Sequence, residues 1–176
     1  AILAANGHVY LETYVGVPAA GMVVVPLNTR HAEPELTYAV EDSGARVLIT
    51  DRDPGALGAL VEHVISLPDN YESALDGADA APLGRGVVES DLAGLFYTGG
   101  TTGLSKGVML SHRNLIANTL HWRATVPQRE DDRYLVMAPM FHAAGSYRVL
   151  GCIWSGACQV ILPAFDPEAA LDLIEA

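Results

Sequence analysis

Short apolar runs alternate with longer stretches at helical spacing along the first part of the chain. Ile2 to Ala5, Val23 to Leu27, Val47 to Thr50 and Val64 to Leu67 read as brief buried strands. His8 to Ala20, Pro34 to Ser43 and Pro54 to Glu62 lie between them and read as helices. Gly16 and Pro18 predict a kink or an end in the first helix, because proline has no N–H to give to the preceding turn. Strand and helix in alternation predict an α/β fold with mainly parallel strands and helix crossovers.

The pattern weakens across residues 69–90, rich in Asp, Ala, Gly and Pro, which reads as a surface linker between an αβ lobe (1–68) and a second lobe (91–176). The second lobe opens on an apolar run, Leu92 to Thr98, and continues through a glycine-rich turn into a second strand ending at Ser111. A helix to Thr125 follows, then the strand Tyr134 to Ala138, an apolar stretch after His142 and the strand Gln159 to Leu162. A last helix is predicted to be capped by Asp166 with Pro167 at its first position.

With 176 residues, half of them apolar, the chain is near the size of one domain and can bury a sizeable core. Its 21 acidic residues against 10 basic ones argue against nucleic acid or an anionic membrane as the main partner. No apolar run reaches the roughly 18 residues of a membrane span, and no signal peptide precedes Ala1, so a cytoplasmic location is expected. Cys152 and Cys158 stand in apolar surroundings with no histidine at ligand spacing, and read as buried thiols.

The candidate chemistry is concentrated in Leu95–Met109, where four glycines and three threonines surround the chain's one lysine, Lys106. Gly99, Gly100, Gly103 and Gly107 allow backbone N–H groups to converge on an anion, with no Cβ to block its approach. Thr98, Thr101 and Thr102 add hydroxyls and Lys106 a mobile positive charge. No Asp or Glu occurs between Asp91 and Glu130, so no carboxylate of that stretch repels phosphate. A Walker A loop is excluded, because Ser105 precedes the lysine and a strand-like Gly107-Val-Met-Leu-Ser111 follows it. A dinucleotide fingerprint is excluded by spacing and by the lack of an acid about twenty residues on.

Tyr97-Thr-Gly-Gly-Thr-Thr-Gly-Leu-Ser-Lys-Gly-Val108 resembles the phosphate-binding signature of the adenylate-forming superfamily of acyl-CoA synthetases, peptide-synthetase adenylation domains and beetle luciferases. Gly99 replaces the usual serine and Ser105 the usual proline. Pro139-Met-Phe-His-Ala-Ala-Gly145 resembles the motif that borders the acyl pocket in that family, and Met22-Val-Val-Val-Pro-Leu-Asn28 its early strand. Both motifs look more like the acyl-CoA synthetase branch than like amino-acid adenylation domains. Segments for the Mg²⁺-binding Glu, the ribose-binding Asp and the distal catalytic lysine do not occur in the chain. The resemblance thus implies an incomplete part of a large N-terminal domain.

What the resemblance implies is activation of a carboxylic or fatty acid. The carboxylate attacks the α-phosphorus of ATP, expels pyrophosphate, and yields an acyl-adenylate from which a thiol of coenzyme A displaces AMP. Charge grows on the departing phosphates, so fixed donors and cations there act electrostatically. The implied catalytic residues are Lys106 on the pyrophosphate portion and Thr98, which is also the candidate contact to Mg²⁺. Gly99, Gly100, Thr101, Thr102, Gly103, Leu104 and Ser105 complete the implied nucleotide-binding set, and Phe141, His142 and Gly145 the implied acyl pocket.

Read from the residues alone, His142 stands evenly between a pocket gate and a satisfied structural histidine. Met140, Phe141 and Trp154 read by default as core, and His112 and Arg113 as caps of the helix that follows the loop. A noncatalytic nucleotide-binding or interaction fragment, and an amino-acid or aryl-acid adenylation domain, remain the alternatives. The 176-residue chain by itself is expected to be inactive. Acid-dependent exchange of pyrophosphate into ATP is the measurement, and a rate at the level of the blank is the expected outcome.

Overall fold

The computed structural model describes residues 1–81, 86–99 and 104–175. Three parallel strands, β1 (Ile2–Leu3), β2 (Val47–Thr50) and β3 (His63–Ser66), pair in that order, with Ile2 opposite Ile49 and Ile49 opposite Ile65. Helix α1 (His8–Ala19) leaves β1, and α2 (Glu33–Ser43) precedes β2. Pro18 lies in the last turn of α1, which ends one residue later, and Gly21 follows in the left-handed region at φ 72°. Pro54 to Glu62, read as a helix, forms only a 3₁₀ segment at Gly55–Leu60. Two glycines in six residues leave too little helix propensity to hold a longer element.

Val23–Leu27, expected to be a strand, is held by isolated bridges instead of a continuous ladder: Ile2 opposite Pro26 and Val24 opposite Gly94, both parallel. On one side, Ile2 N–H donates to Val25 O at 3.0 Å and Leu27 N–H to Ile2 O at 2.9 Å. On the other, Val24 N–H donates to Ala93 O at 3.0 Å and Leu95 N–H to Val24 O at 2.9 Å. Pro26 is the next residue whose N–H would point to this second side, and it has none, so the ladder stops there.

The far side of this seam is β4 (Leu92–Thr98), which pairs antiparallel with β5 (Lys106–Ser111). Parallel bridges across the seam give one mixed sheet in the order β5, β4, 24–26, β1, β2, β3, in which only β5 is antiparallel. A second, two-stranded parallel sheet holds β6 (Arg133–Val136) and β7 (Cys158–Ile161). Asn6 joins the two sheets. Its Nδ2 donates to Ala138 O at 3.0 Å and Leu162 O at 3.1 Å, and its Oδ1 accepts from Met140 N–H at 2.8 Å.

Two cores lie on opposite faces of the mixed sheet. Tyr10 and Tyr14 of α1 pack with Val24, Phe96, Val136, Met140 and Val149, while α2 covers Leu3, Val25, Leu27 and Leu48. Within residues 69–90 the structure places a further helix, α3 (Tyr71–Asp76), whose Tyr71 ring is buried and donates its hydroxyl to Glu12 Oε2 at 2.6 Å. The remaining helices are α4 (His112–Thr125), α5 (Ala143–Ser155) and α6 (Pro167–Glu175). Asp166 does cap α6, with Ala169 N–H 2.8 Å from its Oδ1. Among the described residues no helix is long and apolar enough to cross a membrane.

The cysteines differ from expectation. Cys152 is buried in α5, where desolvation pushes its thiol pKa up, but Cys158 is exposed at the start of β7. Trp154, read as core, is also half exposed, because it falls on the outer side of α5 from Cys152 and Val149.

The Tyr14 hydroxyl is buried and donates to Met140 O, so it ties α1 to the chain just beyond β6. Tyr14→Phe leaves that carbonyl without its donor, and a loss of about 1–3 kcal/mol is expected. Urea unfolding checks this as a lower midpoint at unchanged slope.

Candidate nucleotide-binding site

The carboxyl ends of β1, β2, β3, β4, β6 and β7 and of segment 24–26 share one edge of the structure, because the bridges between them are parallel and Asn6 clasps the ends of β1, β6 and β7. In open α/β sheets, ligands bind at that edge. Both sequence motifs emerge there, one after β4 and the other after β6.

Thr98 and Lys106 form the last rung of the β4–β5 ladder and the neck of the loop between them. Among the described residues the Thr98 hydroxyl has one long contact, 3.4 Å, to Lys106 O, and Ser105 Oγ closes the neck by donating to Thr98 O. Lys106 is exposed and has no carboxylate partner among the described residues. Gly99 and Leu104 are exposed as well. Gly100, Thr101, Thr102 and Gly103 lie outside the described residues. The rung thus presents one ammonium group and one hydroxyl at the carboxyl edge, two groups that can each donate to an anion.

Strand alternation sends Phe96 to one face of the sheet and Leu95 and Tyr97 to the other. Phe96 stacks on Tyr14 at 6.3 Å between ring centroids, and Tyr14 bonds to Met140 O, so one tyrosine connects the strand behind the loop to the second motif. Tyr97 Oη donates to Asp42 Oδ2 of α2 at 2.6 Å, a contact that no sequence spacing indicates. Burial and the neighbouring Asp42 carboxylate both raise the Tyr97 pKa, which keeps the phenol protonated as a donor.

After β5 the chain turns into α4. The cap is Ser111, whose Oγ accepts from Asn114 N–H at 3.3 Å while Asn114 Oδ1 accepts from Ser111 N–H at 3.0 Å. His112 and Arg113, read as the capping residues, take other parts: His112 N–H donates to Asp91 O, and the Arg113 guanidinium pairs with Glu89. The correction has a simple cause, since a hydroxyl at the N-cap outcompetes longer side chains inside the first turn.

His142 is exposed at the N-terminus of α5, where its Nδ1 accepts from Ala144 N–H at 3.2 Å. Phe141 is half-buried against the core, and Met140 is fully buried. Phe141 also borders a cavity of about 140 Å³ shared with Asn6, Thr29, Arg30, Pro139 and Phe165. Gly145 is buried against the turn that precedes it, and a Cβ there would lie 2.3 Å from Pro139 O.

The α/β fold, with the β4–β5 turn and the segment after β6 both at the carboxyl edge, is that of the N-terminal domain of adenylate-forming enzymes. The chain belongs to the AMP-binding enzyme family, whose model matches residues 1–176. It is 40% identical over 178 residues to a feruloyl-CoA synthase from Amycolatopsis sp, and 32% identical over 187 residues to the long-chain-fatty-acid–CoA ligase FadD13 of Mycobacterium tuberculosis. Each match covers 99% of this chain and 36% of the relative, so the chain spans little more than a third of their length. Among solved structures it superposes on ATP-bound MatB from Rhodopseudomonas palustris with a TM-score of 0.87 and 31% identity, covering 99% of this chain and 37% of that one. It superposes on the inhibitor-bound N-terminal domain of FACL13 from Mycobacterium tuberculosis with a TM-score of 0.90 and 29% identity, covering 98% and 46%.

Gly145→Ala is expected to destabilise the protein by about 1–3 kcal/mol, since the methyl would meet backbone that cannot swing aside. Thermal unfolding of the variant beside Ala144→Gly, which adds no atoms, separates this clash from a general effect on α5.

Proposed function

We propose that the chain supplies the phosphate-binding part of an ATP-dependent acid–CoA ligase. The observation that carries this reading is the Thr98–Lys106 rung, which holds a cation and a hydroxyl at the carboxyl edge of the sheet within a sequence free of acids. Family membership and the CoA-ligase names of its relatives support it.

In the proposed reaction the acid's carboxylate oxygen attacks the α-phosphorus of ATP, and the bond to the β-phosphate bridging oxygen breaks. That oxygen leaves on pyrophosphate with the bonding electrons. Lys106 stabilises the charge accumulating there, and the hairpin holds the ammonium group near its place before the reaction, which is the source of its effect. The CoA thiol then loses its proton and attacks the acyl carbon, releasing AMP.

The Thr98 hydroxyl, with lone pairs not taken up by its one long contact, fits a single position in the shell of Mg²⁺. Among the described residues no group of three or more His, Cys, Asp or Glu gathers to hold a metal, so phosphate oxygens and water would fill the rest of that shell. Bound Mg²⁺ would supply charge neutralisation for the phosphates.

Phe141, His142 and Gly145 are proposed to border the acid. Capping by Nδ1 fixes the His142 ring at the mouth of α5 and leaves Nε2 outward, while the Gly145 packing fixes the turn that carries Phe141. The acid is proposed to be of the aryl-propenoic or fatty type, two of the several kinds named among the relatives, which also include a bicyclic propanoyl acid and 4-hydroxybutyrate.

The test is made in the ligase that carries this chain. Lys106→Ala is expected to lower adenylate formation roughly 10²–10³-fold, while thioester formation from preformed acyl-adenylate stays near wild type. Ferulate and a long-chain fatty acid are the first substrates to try. Equal losses in the two half-reactions would assign the lysine to the fold, and no adenylation of any acid by the wild type would overturn the proposed function.

A further inference from the structure

Asp42 stands where a helix least favours it. It occupies the last turn of α2, at the negative end of the helix dipole, with Glu41 beside it and no basic residue in that turn. A carboxylate there is disfavoured relative to a neutral side chain, because it meets the unsatisfied carbonyls of the helix end. A residue that breaks a local rule marks either strain or a purpose served elsewhere. Here the carboxylate meets Tyr97 Oη at 2.6 Å, and the phenol belongs to the residue immediately before Thr98.

The surroundings of Tyr97 are built to receive its ring. Tyr38 of α2 meets it edge-on, with centroids 6.3 Å apart and planes at 85°. Across the ladder its partner is Gly107, the residue immediately after Lys106. A Cβ on Gly107 would lie 2.9 Å from Leu95 Cδ1 and 3.3 Å from Tyr97 Cζ, so the side chains of β4 lie over β5 at the point where a methyl is missing. The tyrosine therefore bears on both strands of the neck at once. One side holds Thr98, the other Lys106.

We propose that Tyr97 and Asp42 are a positioning pair: by fastening the base of the β4–β5 neck to α2, they set the place of Thr98 and Lys106 for a polyphosphate. The inference rests on the proposed phosphate-binding role of the loop. Tyr97 is only half-buried and Asp42 is exposed, and polar contacts reached by solvent contribute little to global stability. What the bond removes is freedom of the neck to pivot over the sheet. Loss of it is therefore read in affinity and not in unfolding.

The probe is inorganic triphosphate with Mg²⁺, titrated by calorimetry into the full-length protein that carries this chain, with melting temperature recorded for each variant. Tyr97→Phe keeps the ring and removes only the donor, and it is expected to weaken affinity about tenfold, or ~1.4 kcal/mol, at unchanged melting temperature. Asp42→Ala should match it, and Asp42→Asn, whose carbonyl still accepts from the phenol, should recover most of the affinity. The double variant Tyr97→Phe/Asp42→Ala should be no weaker than either single one, as two halves of one contact require. Equal affinity of wild type and Tyr97→Phe, additive losses in the double variant, or a fall in melting temperature that tracks every loss of affinity would each overturn the pair. A chain that binds triphosphate as expected, from a protein that adenylates no acid, would overturn the proposed ligase activity and leave the pair standing.

Discussion

The arrangement depends on one short extended segment that hydrogen-bonds along both of its edges. Residues 24–27 give and receive backbone bonds with β1 on one side and β4 on the other. Without them the mixed sheet would divide into two smaller ones, β1–β2–β3 and β4–β5. Val24 to Leu27 need no side-chain chemistry for this, only an extended backbone and burial between the two cores, which Val24, Val25 and Leu27 supply. The seam also sets direction. Because Val24 pairs parallel with Gly94, β4 ends on the same edge as β1 and β2, and the loop that follows β4 faces the edge where side chains from several strands can meet a ligand.

The antiparallel turn into β5 then does something a helix-flanked phosphate loop does not. A P-loop lysine sits on the first turn of a helix, whereas Lys106 sits on a strand fixed by ladder bonds to β4. Its backbone position is set by register. The acid-free stretch around it preserves the positive potential. Tyr14 carries the same rigidity to the second motif, since its ring stacks on Phe96 and its hydroxyl meets the backbone at Met140.

Much of this was legible in the sequence, and the failures have physical causes. Strands β1, β2 and β4 and helices α2 and α6 carry local signals strong enough to read: apolar runs, a terminal glycine at Gly44, an Asp-Pro start at Asp166. Val23–Leu27 reads as a strand but forms only isolated bridges, because pattern does not reveal that Pro26 faces a neighbour. Helix α3 was hidden inside a polar, alanine-rich segment whose one large aromatic, Tyr71, finds its place only against α1 through Glu12. Cys158 and Trp154 have apolar neighbours in sequence and solvent in space, which is decided by which side of β7 and α5 the core lies on. At the site, the glycines, threonines and lysine announce themselves by composition. Tyr97 and Asp42 are 55 residues apart, and the only local hint of their contact is an acid at the wrong end of a helix.

The Asn6 clasp reads nothing but backbone: the carbonyls of Ala138 and Leu162 and the amide of Met140. Side chains at those positions can therefore be exchanged without disturbing the join, provided the core still fills. The frame and the variable surface of the molecule are in this sense separately editable. Residues beyond β6 and β7 can be changed while the edge on which the β4–β5 hairpin ends keeps its geometry.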